Sequence, residues 1–276
     1  MTKKYLAQHA IITGGSSGIG KAVSQLLAQQ GANLTLIARD RQKLEQAKQE
    51  IEAVRANPRQ KVNIATADVA ERESITRTIE QAIADLGSPS VLITSAGMVH
   101  PGYFSEIPLD IFEQTMAVNY FGALYSVKAA LPSMVKQQQG QIVLISSGAG
   151  LIGIYGYTSY CPTKFALRGL AESLRGELKP QGINVSVVYP PDTDTPQLAA
   201  ENKIKPAETK QITATAKTWS PEAVAQQIIR GMGKKQLAIT PGLELTILNR
   251  WHSLLLPLLN RYFDRIVSQT RKSGAS

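Results

Sequence analysis

Tyr160 and Lys164 stand four positions apart in YCPTK (160–164), with Pro162 between them. Positions i and i+4 of a helix share a face, so the phenol and the ammonium can project together into one cleft. Proline is accommodated in the first turn of a helix, where the N–H it lacks has no partner to lose. The pair is therefore expected at the positive end of a helix that begins beside Pro162. A phenol of ordinary pKa, about 10, exchanges protons poorly at neutral pH. A cation and a helix N-terminus both favour the phenolate, and together they are expected to bring that pKa down. Such a hydroxyl can give a proton to a carbonyl oxygen. A lone Y-x-x-x-K is common on helix surfaces; here Asn119 and Ser147 precede it, Ser147 by thirteen residues, at the ends of other elements. Cys161 reads as core or pocket wall, since no histidine lies near it in sequence to activate a thiol.

These groups need a scaffold that gathers the ends of several elements. Short apolar runs alternate with stretches of helical period: HAIIT (9–13), NLTLIA (33–38), KVNIAT (61–66), SVLITSAG (90–97), GQIVLISS (140–147), INVSVVYP (183–190) and QLAIT (236–240). Each run suits a strand buried on both faces. Between them, 71–86 carries Ile75, Ile79, Ile83 and Leu86 on one stripe, the mark of an amphipathic helix. The alternation predicts an α/β fold, a Rossmann-type doubly wound parallel sheet of about seven strands, with ligands beyond the carboxyl ends of the strands. One domain is expected over 1–242, with a substrate loop at 190–219, followed by an amphipathic tail over 243–276.

TGGSSGIG (13–20) leads from the first run into KAVSQLLAQQG. Gly14, Gly18 and Gly20 permit a tight turn and a close approach of backbone to a pyrophosphate, and the helix start offers free N–H groups. By itself such a string also fits an ordinary tight turn. The second run ends Ile37-Ala38-Arg39, with Lys43 one helical turn later. A site preferring NAD places an acid on the ribose 2′-hydroxyl at about this distance; two cations suit a 2′-phosphate instead, so NADPH is the expected cofactor. Asp40 is read as the cap of the helix DRQKLEQAKQEIEAV.

The G-x-x-x-G-x-G spacing, with Asn119, Ser147, Tyr160 and Lys164 following in order, resembles the short-chain dehydrogenase/reductase family over residues 5–240. The resemblance implies hydride transfer from a nicotinamide to a carbonyl carbon, with Tyr160 giving the proton. It implies that Ser147 holds the carbonyl oxygen, that Lys164 binds the nicotinamide ribose, and that Asn119 anchors a water. It also places Ser16, Ser17 and Ile19 with the glycines on the phosphates, Asp68 and Val69 at the adenine, Ala96 and Gly97 beside the ribose, and Pro190 and Thr193 in the cofactor site. One departure is visible: the family's N-A-G reads Ser95-Ala96-Gly97, so Ser95 is expected to supply the asparagine's structural hydrogen bonds.

The loop after the sixth run is more particular. YPPDTDTP (189–196) is followed by the pairs Glu201-Asn202, Lys205-Pro206 and Glu208-Thr209, and GIYGYTSY (153–160) leads into the tyrosine ahead of FALRGLAESL (165–174). These strings resemble the 3-ketosphinganine reductases, a branch of the same family. They imply a long-chain lipid ketone as substrate, reduced by NADPH. A steroid or 3-oxoacyl thioester reductase remains an alternative, as does a dinucleotide-binding regulatory protein without catalysis. On the residues alone, the prolines also fit a stiffened lid and the threonines a helix cap.

In the tail, Leu248, Trp251, Leu255, Leu258, Leu259, Tyr262, Phe263, Ile266 and Val267 follow helical spacing over 243–267, with Arg250, Arg261 and Arg265 elsewhere on the cylinder. Polar residues interrupt each apolar run, so a membrane-spanning helix of about 20 apolar residues is not expected there. A helix lying on a membrane surface, a subunit interface and a lid over the core all fit the pattern.

Thirty Lys and Arg against twenty-one Asp and Glu give +9, which suits an anionic partner such as a phosphorylated cofactor or anionic lipid. The cations are scattered rather than run together with aromatics, so nucleic acid is not an expected partner. A single cysteine admits no intrachain disulfide, and three scattered histidines make no zinc site. The leader MTKKYLAQHAIITGG has no signal-peptide h-region. A cytoplasmic protein, peripheral on a membrane if the tail docks there, is expected, and by family resemblance a homo-oligomer.

Overall fold

The aliphatic runs become strands, and each run of helical period folds back against the sheet they form. The structure is a computed structural model that describes residues 5–214 and 217–274; leader residues 1–4 and residues 215–216 of the substrate loop lie outside them. In chain order the elements are β1 (His9–Thr13), α1 (Gly18–Gln29), β2 (Asn33–Ala38), α2 (Arg41–Val54), β3 (Val62–Thr66), α3 (Arg72–Leu86) and β4 (Val91–Thr94). Then come α4 (Leu109–Met116), a π-helical turn (Ala117–Phe121), α5 (Gly122–Gln137), β5 (Gly140–Ile145), α6 (Cys161–Leu178) and β6 (Ile183–Val188). The last are α7 (Pro196–Ile204), α8 (Ala207–Thr213), α9 (Pro221–Gly233), β7 (Ala238–Ile239) and α10 (Leu243–Gly274).

The seven strands pair in parallel in the order β3-β2-β1-β4-β5-β6-β7. Consecutive strand residues point to opposite faces. Ile12, Ile93 and Val143 thus pack on one side with Val23, Leu27 and Ile228 of α1 and α9. Ile11, Leu92 and Ile142 pack on the other with Ile75, Val127 and Leu167 of α3, α5 and α6. Burial on both faces is why these runs carry no polar alternation. Chain order reverses between β1 and β4, and a crevice opens there beyond the strand ends.

Two helix starts bear on that crevice. Asp40 caps α2, its carboxylate accepting the Lys43 N–H at 3.1 Å. α6 begins at Cys161, with Tyr160 as its N-cap and Pro162 in its first turn, as the spacing predicts. The tail forms α10, broken by non-helical angles at Trp251 (φ −120°, ψ 19°). Among the described residues, no helix is long and apolar enough to cross a membrane.

Candidate active site

The glycine turn closes on the neighbouring strand end by direct backbone contact. Gly14 has φ +69°, and a Cβ there would lie 2.6 Å from the Ala96 nitrogen. A Cβ on Gly20 would strike the carbonyl oxygen of Gly14. Neither position tolerates a side chain. Ser17, the N-cap of α1, makes no side-chain cap, so the first-turn N–H groups are not engaged by it. This is the cradle an anion requires. The hydrogen bonds that hold the adjoining strand end come from Thr13: its carbonyl accepts the Ser95 N–H at 3.0 Å and its hydroxyl the Ala96 N–H at 3.4 Å. The structural role expected of Ser95 is met by Thr13, because the two parallel strands already bring that hydroxyl alongside.

Arg39, Lys43 and Asp68 line the same end of the cleft. Both cations are mostly exposed, and each has an acidic neighbour: Arg39 Nη1 lies 3.8 Å from Asp68, and Lys43 Nζ lies 3.3 Å from Asp40. Asp68 is set by its own turn, accepting the Ala70 N–H. Val69 is buried against Gly122. Ser16, Gly18, Ile19, Ala96 and Gly97 all face this cavity, which has a volume of about 600 Å³.

At the centre of the cleft, Ser147 follows β5 and starts a one-turn 3₁₀ helix, its hydroxyl accepting the Ala149 N–H at 3.2 Å. The Tyr160 phenol faces the same hydroxyl across the cleft. Lys164, buried, donates from Nζ to the Ile145 carbonyl at 3.1 Å and lies 5.4 Å from the Tyr160 ring centroid. Gly97 leaves room beside this ammonium: a Cβ there would approach Nζ to 3.7 Å and Asn119 Oδ1 to 3.3 Å. Asn119 sits in the π-helical turn with its amide fully engaged. Oδ1 accepts the Met98 N–H at 2.8 Å, and Nδ2 donates to the Met98 carbonyl and to Thr163 Oγ1, each at 2.9 Å. Its side chain thus pins the turn after β4 to α6 rather than reaching into the cleft.

The electrostatics differ from the sequence expectation. Burial pushes the Tyr160 phenol well above its usual value, and the Ser147 hydroxyl opposes this without reversing it. Burial likewise brings Lys164 down to about 8. Desolvation is thus the largest influence on both groups. The resting hydroxyl is a firmly protonated donor.

Several contributors carry no local signal in the sequence. Ser146, buried beside Ser147, donates to the Lys164 carbonyl at 2.9 Å and so fixes α6 on β5. Thr195 caps α7 through the Leu198 N–H and packs its methyl 3.0 Å from where a Gly18 Cβ would be. Pro190 accepts the Gly148 N–H at 3.0 Å, and Thr193 donates to the Pro191 carbonyl at 2.8 Å. Of the spaced pairs of the loop, Glu201, Lys205, Pro206, Glu208 and Thr209 turn inward, and Asn202 is exposed. Glu201 Oε1 receives Lys205 Nζ at 3.0 Å and the Tyr157 hydroxyl, all three residues being buried. Glu208 accepts from Tyr103 at 3.0 Å and Tyr155 at 3.4 Å, and Arg271 Nε of α10 lies 3.5 Å away. Thr209 donates to the Tyr155 carbonyl at 2.9 Å. The strings 153–160 and 201–209 are thus two halves of one hydrogen-bonded assembly. α10 closes over it, contributing Leu245, Leu248, Leu259, Tyr262 and Phe263 to the cavity wall.

Comparison with known proteins agrees with this arrangement. Residues 8–206 match the short chain dehydrogenase family model. The chain is 47% identical over 223 residues to a 3-dehydrosphinganine reductase of Danio rerio, covering 80% of this chain and 67% of that protein. It is 45% identical, with the same coverage, to a 3-ketodihydrosphingosine reductase of Bos taurus. In structure it is similar to levodione reductase, with a TM-score of 0.77 at 20% identity over 86% of this chain and 95% of that one. The chain belongs to the short-chain dehydrogenase/reductase family, and it is an oxidoreductase.

Proposed function

We propose that the protein reduces the 3-keto group of 3-ketosphinganine to sphinganine with NADPH, Tyr160 giving the proton. The observation that carries this reading is the buried 201–209 assembly, which holds the substrate loop against the segment that leads into Tyr160, in a chain 47% and 45% identical to two reductases named for this reaction.

The residues present fit the cofactor. The cradle of Gly14, Ser16, Ser17, Gly18, Ile19 and Gly20 suits its pyrophosphate, Arg39 and Lys43 its 2′-phosphate, and Asp68 and Val69 its adenine end. Ala96, Gly97, Lys164, Pro190 and Thr193 suit the nicotinamide end. When bound, NADPH supplies a hydride to the carbonyl carbon. Ser147 donates a hydrogen bond to the carbonyl oxygen, and Tyr160 passes its proton to that oxygen as charge develops there. Burial keeps the phenol protonated at rest, the form a proton donor needs before the carbonyl arrives. Lys164 supports the phenol's negative charge once the proton has left. The Asn119 amide is engaged within the fold, bonding Met98 and Thr163.

The tail serves the same substrate. One face of α10 lines the cavity; Leu243, Ile247, Trp251, Leu254 and Leu258 remain exposed on the helix. This exposed row rests on a membrane surface, where a long-chain ketone resides. Purified protein with NADPH, assayed against 3-ketosphinganine, 3-oxoacyl thioesters and a steroid ketone, tests the reading. The highest kcat/KM is expected for 3-ketosphinganine, and a preference for the thioesters would refute it.

A further inference from the structure

The polar groups at the substrate end of the cavity do not balance in charge. Asp192, Glu201 and Tyr157 all face it. Glu201 is matched: its Oε1 holds both the Lys205 ammonium at 3.0 Å and the Tyr157 hydroxyl. Asp192 is not. Its main chain is fixed by the Trp219 N–H, which donates to its carbonyl oxygen at 2.8 Å, while its carboxylate has no hydrogen-bond partner among the described residues. The cation acting on it is Lys205, already in contact with Glu201. Asp192, Glu201 and Lys205 thus carry one net negative formal charge among themselves, with Lys164 and Lys217 as further cations on the cavity wall. Burial raises the Asp192 carboxyl, with Lys205 opposing, as expected of a carboxylate without a full counter-charge. It lines the same cavity as Tyr160, whose ring lies 5.9 Å from that of Tyr157.

A half-buried acid that faces a cavity without a hydrogen-bond partner favours a ligand that brings a cation to it. The substrate of the proposed reaction carries one in the required place, because 3-ketosphinganine has a protonated amine on the carbon adjacent to its ketone. Resting on that functional reading, we propose that Asp192 accepts the substrate ammonium and makes the site selective for α-amino ketones over plain ketones of equal chain length. The apolar wall from α10 then receives the alkyl chain, which runs in the other direction from the carbonyl.

The test compares 3-ketosphinganine with 1-hydroxyoctadecan-3-one, the same molecule without its amine, using NADPH and both wild-type protein and Asp192→Asn. Wild-type protein is expected to prefer the amino ketone by about 10- to 100-fold in kcat/KM, the scale of a hydrogen bond between charged groups. Asp192→Asn should lose that preference on the amino ketone while turning over the plain ketone within about twofold of wild type and binding NADPH unchanged. The plain-ketone rate doubles as the control for folding. Wild-type protein that reduces both ketones equally well overturns the proposal without any variant. So does an Asp192→Asn protein that keeps the full preference. Wild-type protein that reduces neither ketone removes the functional reading itself, a result distinct from both.

Discussion

The two ends of the cleft are built from different materials. At the nucleotide end, Arg39 and Lys43 are largely exposed and stand beside carboxylates at 3.8 and 3.3 Å; the shape there is made by backbone, at Gly14 and Gly20. At the substrate end, charged side chains are buried, the Glu201 and Lys205 side chains being 10% and 2% exposed, and they are joined to tyrosines from a distant segment. An exposed ion pair contributes little and is easily exchanged for another anion. A buried one holds the fold only while both partners remain. On the proposed assignment, the first end is open to a diffusing cofactor, whereas the second is a fixed mould whose specificity depends on intact internal pairing. Tyr160 stands where they meet.

Changing the meeting point should have the largest effect. Tyr160→Phe removes the proton donor but leaves the cradle, so turnover should fall by about 10²- to 10⁴-fold with NADPH affinity retained, as read from steady-state rates and a fluorescence titration. Retained turnover would sink the mechanism. Next, Lys205→Met leaves Glu201 as an uncompensated buried charge. Stability should drop by about 3–5 kcal/mol in urea unfolding. A loss under about 1 kcal/mol would mean that the substrate end is no more rigid than the nucleotide end. The smallest effect is expected at the open end. Arg39→Ala should weaken NADPH by about tenfold, the scale of one charge-assisted contact, leave NADH nearly unchanged and barely alter the unfolding midpoint. Equal weakening of both nucleotides would remove Arg39 from the 2′-phosphate.

The same contrast explains what the sequence made legible. The strand runs, the helix start at Pro162 and the Asp40 cap depend on neighbours a few residues away, and the structure places each where the spacing predicts. The glycine turn is equally local. Tyr155 and Glu208, by contrast, meet across 53 positions, and Arg271 joins Tyr155 across 116. Nothing in their own windows announces a partner. The pairs at 201–202, 205–206 and 208–209 were visible as a pattern, but their role as a buried tie to Tyr155 and Tyr157 follows only from the tertiary fold. The pKa of Tyr160 is hidden from the sequence for a related reason: a motif displays its cation, whereas desolvation comes from all the elements packed around the phenol.

The carboxylates standing beside Arg39 and Lys43 have one more consequence. A phosphate arriving there displaces internal partners rather than a full shell of mobile salt ions, so fewer counterions are set free than two bare cations would release. Cofactor affinity should then vary less steeply with ionic strength than a count of the cations at this end suggests.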